Sequence, residues 1–304
     1  MASYTYVLVT PARNEAEFIE LTLKSVVAQT VRPAKWVIVS DGSTDGTDEI
    51  VRKYAEQHPW IELVRMPERR ERHFAGKVLA FNAGYDRVAN IDYDVIGNLD
   101  GDVSFDEDYF DFLLTKFAEN PRLGVGGTPF REGSFQYDYR FTSIEHVSGQ
   151  VQLFRRECFE DIGGYSPRKI GGVDLVAVTT ARMKGWQTRT FPEKPYVHHR
   201  RMGTATSSVW RTPFKIGRTD YVLGGHPVWE LARCIYQTTR PPIVLSGSLR
   251  LAGYAWAMLS GAEKEVSAEF IVFRRKEQMD RLRRFFGKYV KPSEENVETG
   301  RTCT

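Results

Sequence analysis

The sequence predicts an α/β protein whose first half is a mostly parallel sheet flanked by helices. Between residues 4 and 99, short apolar segments alternate with segments of helical periodicity. This alternation is typical of βαβ units, in which helices cover both faces of a parallel sheet. Polar or acidic clusters follow three of the apolar segments, at the edge where open α/β sheets bind ligands. The pattern therefore predicts a ligand site as well as a fold class.

The first half alternates predicted strands and helices without a repeat. The strands are expected at residues 4–9, 36–39, 61–64 and 95–99, and the helices at 16–29, 48–56 and 77–88. Thr47 is expected to cap the second helix, because a hydroxyl before a helix can accept a hydrogen bond from a free backbone N–H.

The second half is less regular. A helix is expected at 103–117, a strand at 124–128 and another helix at 174–184. Residues 129–148 are polar and aromatic, which is typical of a long functional loop. Beyond about residue 205 the pattern changes to helical segments with aromatic residues and a basic end.

These changes predict the domain organisation. Residues 1–204 form the α/β domain, with a first half at 1–102 and a second half at 103–204. A helical extension follows at 205–291, and the polar tail at 292–304 is expected to be disordered.

The composition is that of an ordinary globular protein. The 304 residues are 41% hydrophobic, and the formal net charge of +3 argues against a dedicated nucleic-acid binder. The three cysteines (Cys158, Cys234 and Cys303) are far apart, which indicates a reduced, cytoplasmic protein and no structural zinc site. The start of the chain has no basic segment or cleavage site of a signal peptide.

Three clusters follow predicted strands: Thr10–Glu15, Asp41–Thr47 and Asp100-Gly101-Asp102. Their carboxylates can hold ribose hydroxyls, a base or a divalent metal ion, and Mn²⁺ or Mg²⁺ prefers such oxygens together with phosphates. Two other Asp-x-Asp pairs do not directly follow an apolar segment and indicate turns. A structural alternative stays open for the first two clusters, because Ser43 to Thr47 suits a turn with a helix cap and Asn14-Glu15 suits a helix start.

Together, the clusters resemble family 2 glycosyltransferases of the GT-A fold. The resemblance extends from about residue 4 to residue 200, and several degenerate pieces occur in the family's order. The pieces are Pro11-x-x-Asn14-Glu15, Ser25-x-x-x-Gln29-Thr30, Asp41-Gly42-Ser43-x-Asp45-x-Thr47, Gly76-Lys77 with Phe81-Asn82-x-Gly84, Asp100-x-Asp102, Gly149 with Phe154-Arg155-Arg156, Gly163-Gly164-Tyr165, and Asp174 with Gly185-Trp186.

The resemblance implies that the first half binds a nucleotide-diphospho-sugar and the second half binds the acceptor. The residues implied at the base and ribose are Thr10, Pro11, Ala12, Glu15 and Asp41. Lys77 is implied near the nucleotide and Asp100 at the ribose or metal. Asp102 is implied as the main ligand of Mn²⁺ or Mg²⁺.

The resemblance also implies a general base and a late histidine. The family's base is an Asp eleven residues before a Gly-Trp pair, and Asp174 stands at that distance from Gly185. The family's acid before that Asp is absent here, where Val173 stands. His199 is implied as a further metal ligand, although its neighbour His198 is an alternative, and only one of them can serve because strand neighbours face opposite sides. Arg200 or Arg201 would meet the diphosphate.

The C-terminal part raises the question of membrane contact. Residues 243–261 approach the length of a membrane span, but Arg250 near the middle favours an interfacial or buried helix. Farther on, Val272, Met279, Leu282 and Phe286 recur at helical spacing among basic residues. Such a helix either lies on anionic lipid or packs with a solvated basic face.

The expected function is inverting transfer of a sugar to a glycan or lipid-linked acceptor in surface polysaccharide synthesis, in the cytoplasm or at the inner membrane face. One alternative is a sugar nucleotidyltransferase, but the glycine-rich loop usual in such enzymes is missing from Thr10–Glu15. The other is a nucleotide-sugar-binding scaffold without catalysis, which the missing acid before Asp174 favours. A dinucleotide-binding oxidoreductase lacks support because no Gly-x-Gly-x-x-Gly follows the first strand.

Overall fold

A computed structural model describes residues 4–68, 74–132, 143–200, 211–238 and 245–290. The chain divides into two compact units, Met1–Ser208 and Val209–Thr304. The predicted boundary at 204/205, the diproline Pro241-Pro242 and the tail at 292–304 lie outside the described residues.

A seven-stranded sheet forms the centre of the first unit. Its strands are β1 Tyr6–Ala12, β2 Lys35–Asp41, β3 Ile61–Met66, β4 Val95–Leu99, β6 Leu123–Gly127, β8 Val151–Arg155 and β9 Gln187–Thr190. They are ordered β3-β2-β1-β4-β8-β6-β9. Strands β1 to β4 are mutually parallel, whereas β8 runs antiparallel to both β4 and β6. The loops that follow β1, β2 and β4 therefore meet at one edge of the sheet.

Helices cover both faces of this sheet because its strands are apolar on both sides. The helices of the unit are α1 Ile19–Val27, α2 Thr47–Gln57, α3 Phe74–Val88, α4 Tyr109–Glu119, α5 Arg156–Asp161 and α6 Val173–Met183. Tyr6 and Leu8 of β1 belong to one buried cluster with α1, α2 and α4. Val7 and Val9 belong to the other cluster with α3, α5 and α6. Successive side chains of a strand point to opposite faces, so each strand contributes to both clusters.

A small second sheet lies next to the acidic strand end. It consists of β5 Val103–Ser104, β7 Phe130–Arg131 and β10 Tyr196–His198, ordered β5-β10-β7. His198 pairs antiparallel with Val103. This pairing brings the histidines near the end of the first unit to Asp102, although almost a hundred residues separate them.

The second unit is helical in its described part. Its helices are α7 Arg211–Val222, α8 Pro227–Thr238, α9 Leu245–Leu259 and α10 Ala268–Val290. Helix α9 packs against both α7 and α8. No helix of the described residues is both long and apolar enough to cross a bilayer.

The predicted fold class is confirmed: a mostly parallel sheet flanked by helices is followed by C-terminal helices. The predicted helix at 103–117 was placed too early, because Val103–Ser104 is a strand that pairs with β10 and the helix begins at Tyr109. Thr47 is the first helical residue and not the cap. Gly46 precedes it in the left-handed conformation, and the Asp45 carboxylate accepts the Thr47 N–H at 3.1 Å.

The basic helix α10 buries one of its charged residues. The sequence left open whether Val272 contacts lipid or packs in the protein, and in the structure it is 69% exposed, whereas Arg274 is buried. The Arg274 guanidinium donates to the Asp220 carboxylate at 2.6 Å, so an ion pair decides which side of the helix is covered.

Candidate active site

The loops after β1 and β2 are bound to each other. Asn14 has a left-handed backbone, with a φ of 55°, and its side-chain oxygen accepts the Thr44 N–H at 2.9 Å. The Asn14 N–H in turn donates to the Ser43 hydroxyl at 3.1 Å. These two hydrogen bonds hold the loops side by side. They occupy polar groups of Asn14 and Ser43, which both belong to clusters identified in the sequence.

The remaining polar residues of the second loop continue this connection. The Thr47 hydroxyl accepts the Glu15 N–H at 2.9 Å, and the Asp45 carboxylate accepts the Ala16 N–H at 3.0 Å. Four hydrogen bonds, the strongest from the Thr47 hydroxyl, outweigh the partial burial of Asp45, which by itself would raise its pKa, and hold that pKa below the ordinary value. Ser43, Asp45 and Thr47 therefore have the structural role that the sequence left open, because their side chains hold the two loops together.

The residues predicted at the base and ribose divide into two groups. The side chains of Thr10 and Ala12 are buried in the core instead, where Thr10 accepts a hydrogen bond from the Trp36 indole at 2.9 Å. These two residues can therefore offer only their backbone to a ligand. Pro11 points to the other side of the strand and is half-buried. Asp41 is nearly buried at the end of β2, with the Arg13 guanidinium 3.7 Å from its carboxylate.

Asp100 follows β4 and forms an ion pair with Lys77 of α3. The Lys77 ammonium lies 2.5 Å from Oδ1 of Asp100. Burial alone would lower the pKa of Lys77, but the Asp100 carboxylate raises it above its ordinary value. Burial raises the pKa of Asp100, and neighbouring Asp102 adds to that effect against the opposing charge of Lys77. Lys77 is therefore held as a cation at the exit of β4.

Asp102 lies at the centre of a second charged group. Its Oδ2 is 3.5 Å from Nε2 of His198 and 3.4 Å from Nε of Arg200. A hydrogen bond from His198 and the charges of Lys77 and Arg200 lower the pKa of Asp102 below its ordinary value, although burial alone would raise it. Its other oxygen, Oδ1, is buried and has no hydrogen-bond partner among the described residues.

The two neighbouring histidines have different partners. Nδ1 of His198 lies 3.1 Å from a carboxylate oxygen of Glu132, so this imidazole bridges Glu132 and Asp102. His199 points to the other side, where its Nε2 is 2.8 Å from the Ser104 hydroxyl. The structure thus places His198, and not the expected His199, beside Asp102. The His199 backbone N–H donates to the Asp102 carbonyl at 2.9 Å.

Arg200 connects this group to the first loop. Its guanidinium forms an ion pair with the Glu15 carboxylate and lies over the ring of Phe18 at 5.5 Å. Glu15 and Asp102 therefore share one cation. Arg201, the other arginine expected to meet a diphosphate, lies outside the described residues.

Asp174 lies in the first turn of α6. The helix begins after Gly172, which has a left-handed backbone with a φ of 73°. A Cβ added at Gly149 would lie 2.8 Å from the Asp174 Cβ, so the carboxylate depends on this glycine for room. The negative charge of Asp174 contributes to the raised pKa of Lys77, after the effects of burial, Asp100 and Asp102. Asp100 and Asp174 therefore both act electrostatically on Lys77.

Several residues at this edge were not predicted as site residues. Asn98 donates to the Gly149 carbonyl at 2.6 Å and so joins β4 to the loop that faces Asp174. Tyr165 donates to Gln152 at 2.5 Å, and burial together with the charge of Asp174 raises its pKa. Glu132 is the partner of His198. No spacing in the sequence signals these contacts, because their partners are distant along the chain.

The fit of a divalent metal ion can be judged from these groups. The described residues contain no cluster of three or more His, Cys, Asp or Glu side chains arranged to hold a metal ion. However, Oδ1 of Asp102 is a buried carboxylate oxygen that no described residue hydrogen-bonds. Mg²⁺ and similar ions are commonly bound by one or two carboxylates together with substrate phosphates. The site fits an ion that shares its ligands with a bound diphosphate.

Comparison with known proteins identifies a family and several relatives. A family model described as "Glycosyl transferase family 2" matches residues 7–172. The chain is 28% identical over 193 residues to the succinoglycan biosynthesis protein ExoA of Rhizobium meliloti strain 1021, an alignment that covers 54% of each chain. It is 27% identical over 199 residues to the poly-beta-1,6-N-acetyl-D-glucosamine synthase of Staphylococcus aureus strain COL, covering 59% of this chain and 46% of the relative. The chain thus spans about half the length of these curated relatives.

Solved structures share the fold at low sequence identity. A mannosyltransferase from Pyrobaculum calidifontis, in complex with GDP-Man and Mn²⁺, superposes with a TM-score of 0.57 at 21% identity, covering 95% of this chain and 84% of that one. Residues 1–349 of S. aureus TarS, in complex with UDP-GlcNAc, superpose with a TM-score of 0.55 at 14% identity, covering 92% and 80%. At these identities the similarity concerns the fold alone.

Proposed function

The chain belongs to glycosyl transferase family 2, and we propose that it transfers a sugar from a nucleotide-diphospho-sugar to a hydroxyl of a glycan or lipid-linked acceptor, with inversion. The first unit carries this reaction, with the donor held by residues 1–102 and the acceptor by 103–204. The role is a step in surface polysaccharide synthesis, by analogy with the relatives named for succinoglycan and poly-N-acetylglucosamine. A cytoplasmic location, with the C-terminal helices at a membrane surface, is part of the proposal.

One observation carries this function: Lys77 forms an ion pair with Asp100 at the exit of β4, next to Asp102 and within the electrostatic influence of Asp174. A nucleotide-diphospho-sugar needs positive charge at its diphosphate and an acid–base group near its sugar. This edge of the sheet provides both.

Each residue then has a role in a single displacement. Asp174 accepts the proton of the acceptor hydroxyl as its oxygen bonds to the anomeric carbon, while the bond from that carbon to the diphosphate oxygen breaks. The departing diphosphate gains negative charge, which Lys77 and Arg200 are placed to offset. Asp41 accepts hydrogen bonds from the nucleoside. Val173 in place of an acid leaves Asp174 without a like charge next to it in the chain.

A divalent cation, Mn²⁺ or Mg²⁺, would be held by Asp102 with help from Asp100 and a histidine. His198 is the better placed histidine because His199 is hydrogen-bonded to Ser104. The bound cation would supply further positive charge for the diphosphate. The complexes of related folds with GDP-Man and Mn²⁺ and with UDP-GlcNAc support this combination of ligands.

Calorimetric titration with UDP, GDP, ADP and TDP, with and without Mn²⁺, tests the proposal. We expect one nucleotide to bind, more tightly with Mn²⁺, and Asp102→Asn to remove the effect of the metal. Asp174→Asn should bind the same nucleotide as tightly as the wild type. Its turnover of the matching nucleotide-sugar should fall by about 10²- to 10⁴-fold, the usual contribution of a general base.

The control for both variants is Asp111→Asn, which changes an exposed carboxylate on α4. It should leave both binding and turnover unchanged. Failure of all four nucleotides to bind would refute the donor site. Full turnover in Asp174→Asn would place the base elsewhere, and binding without any turnover in the wild type would favour the scaffold alternative.

A further inference from the structure

The helices of the second unit bury their acidic side chains. Helices α7, α8 and α9 contain two carboxylates, Asp220 and Glu230, and both are buried. Arg250, also buried, donates to Glu230 at 2.6 Å and forms an ion pair with Asp220, to which Arg274 of α10 donates as well. The interior of this unit therefore contains an ionic cluster beside buried apolar side chains such as Leu223 and Phe270, whereas charged residues are seldom buried.

The apolar stripe of α8 points outward. Glu230 and Cys234 lie on its buried side. Val228, Leu231 and Ile235 recur at the three- and four-residue spacing of a single helix face, with Leu231 47% and Ile235 61% exposed. An amphipathic helix of a water-soluble domain normally turns such a stripe toward the core. Here the stripe faces away from the core.

Helix α9 likewise exposes apolar side chains and buries a charged one. It packs against α8 and exposes Leu251, Trp256, Met258 and Leu259, the last being 81% exposed. Its buried positions include Gly247, Arg250 and Gly253. The exposed stripes of α8 and α9 thus lie on neighbouring elements of one unit.

Helices α7 and α9 meet through small residues. A Cβ at Gly217 would lie 1.9 Å from the Arg250 carbonyl oxygen, and one at Gly253 would lie 2.0 Å from the Phe214 carbonyl oxygen. Only glycines permit backbones to approach this closely. Small residues and buried polar pairs between helices, with apolar side chains outside, are the arrangement of helices surrounded by lipid.

The exposed charges on these helices are of one sign. Arg211, Lys215 and Arg218 of α7 are exposed, whereas the carboxylates of α7, α8 and α9 are buried. Lys215 and Arg218 stand beside the exposed Ile216 on α7, so on this helix cations accompany the apolar surface and complement an anionic partner. A second copy of the chain would place the same cations opposite one another, which opposes self-association through this face.

The lengths of the helices determine how they could contact a bilayer. They contain 12, 12 and 15 residues. At about 1.5 Å per residue they are shorter than the roughly 30 Å hydrocarbon core. Helices of this kind lie in the interface, with their apolar side chains below the headgroups.

We propose that the second unit docks on an anionic lipid surface through an apolar face formed by Ile216, Val228, Leu231, Ile235, Trp256 and Leu259. Lys215 and Arg218 contact the anionic headgroups beside it. The inference specifies the membrane contact that the proposed function assigns to the C-terminal helices, and it does not depend on sugar transfer by the first unit. It assigns the contact to α7, α8 and α9, and not to the basic helix α10, for which the sequence left lipid contact and packing open.

Vesicle co-sedimentation of the full chain tests this docking. The vesicles contain phosphatidylcholine alone or phosphatidylcholine with phosphatidylglycerol. We expect strong binding to the anionic vesicles, weakened by salt. The double variant Leu231→Gln/Ile235→Gln should reduce binding by about a hundredfold, since each buried aliphatic side chain contributes roughly tenfold. Lys215→Glu/Arg218→Glu should weaken binding to the anionic vesicles alone.

The matched control is Leu21→Gln, which changes a leucine of α1 that is 40% exposed and should leave vesicle binding unchanged. Unchanged thermal unfolding and nucleotide binding show that a variant is folded. Should the double variant not fold, Leu259→Gln at the last residue of α9 replaces it. No binding of the wild type to anionic vesicles, or equal binding of the aliphatic variants, would refute the proposal. A dimer that these variants dissociate would assign the face to a second copy and equally overturn it.

Discussion

At the scale of single residues, the direction of a side chain decides whether a motif residue can meet a ligand. Thr10 and Ala12 belong to the core face of β1, whereas Glu15 and Asp41 keep their carboxylates at the sheet edge. The same alternation along β10 separates His198 from His199. Burial alone would lower the pKa of His198, but the carboxylates of Asp102 and Glu132 raise it above its ordinary value.

Replacement of Gly149 by alanine is expected to reduce turnover without weakening donor binding. The new Cβ would lie 2.8 Å from Cβ and 3.2 Å from Oδ2 of Asp174, so the carboxylate must move. A displacement of about 1 Å can cost about a hundredfold in rate. Steady-state kinetics and calorimetry on the same preparation separate the two effects. Turnover equal to that of the wild type would show that the position of Asp174 is not critical.

At the scale of elements, the second unit is held together by ion pairs where helices usually share apolar side chains. Asp220 of α7, Glu230 of α8, Arg250 of α9 and Arg274 of α10 each come from a different helix. Burial would raise the pKa of Asp220, but Arg233, Arg274 and Arg250 lower it far below its ordinary value. Removing one member leaves buried charges without partners.

The variant Asp220→Asn is therefore expected to destabilise the second unit by about 3–5 kcal/mol. The matched control, Asp280→Asn, removes an aspartate that is 41% exposed and pairs with the exposed Arg283. It should cost less than about 1 kcal/mol. Urea unfolding followed by circular dichroism and by the fluorescence of Trp229 and Trp256 measures both. Equal free energies of unfolding for the two variants would contradict a structural role for the buried cluster.

At the scale of the whole molecule, carboxylates with lowered pKa values in both units should make the fold sensitive to acid. Glu62 is an example in the first unit, where it pairs with Lys35 at 2.8 Å and Arg87 at 2.9 Å. Partial burial would raise its pKa, but these two cations lower it below its ordinary value. As the pH falls, the unfolded chain therefore takes up the proton first, and the stabilisation is lost.

Urea unfolding midpoints measured between about pH 6 and pH 3 test this dependence. The wild type should lose stability as the pH falls below about 4.3, the ordinary pKa of glutamate. Glu62→Gln should be less stable at the upper end, by up to about 1 kcal/mol, and should show a shallower acid slope. Glu56→Gln, an exposed change on α2, should keep the wild-type slope. Equal acid slopes for all three proteins would show that Glu62 does not cause the loss of stability in acid.

The sequence by itself determined the order of strands and helices between residues 4 and 99, because buried strands and amphipathic helices leave periodic apolar patterns. It also predicted that acids would gather after β1, β2 and β4, since parallel strands end at one edge. Asp100 and Asp102 were identified by their place after a predicted strand and Asp174 through the resemblance to the family, and the structure places Asp100 and Asp174 within electrostatic reach of Lys77.

Only the tertiary structure decided which partner each polar side chain takes and which face of each C-terminal helix is covered. Glu132 reaches His198 across 66 residues of chain, and Asp45 binds the first loop instead of a ligand. On α8 and α10 the periodicity shows that the faces differ, but it does not specify which face is buried. On these helices, ion pairs with Arg250 and Asp220 place the charged faces in the interior. A buried charge requires a partner, and here the partner comes from a distant segment of the chain.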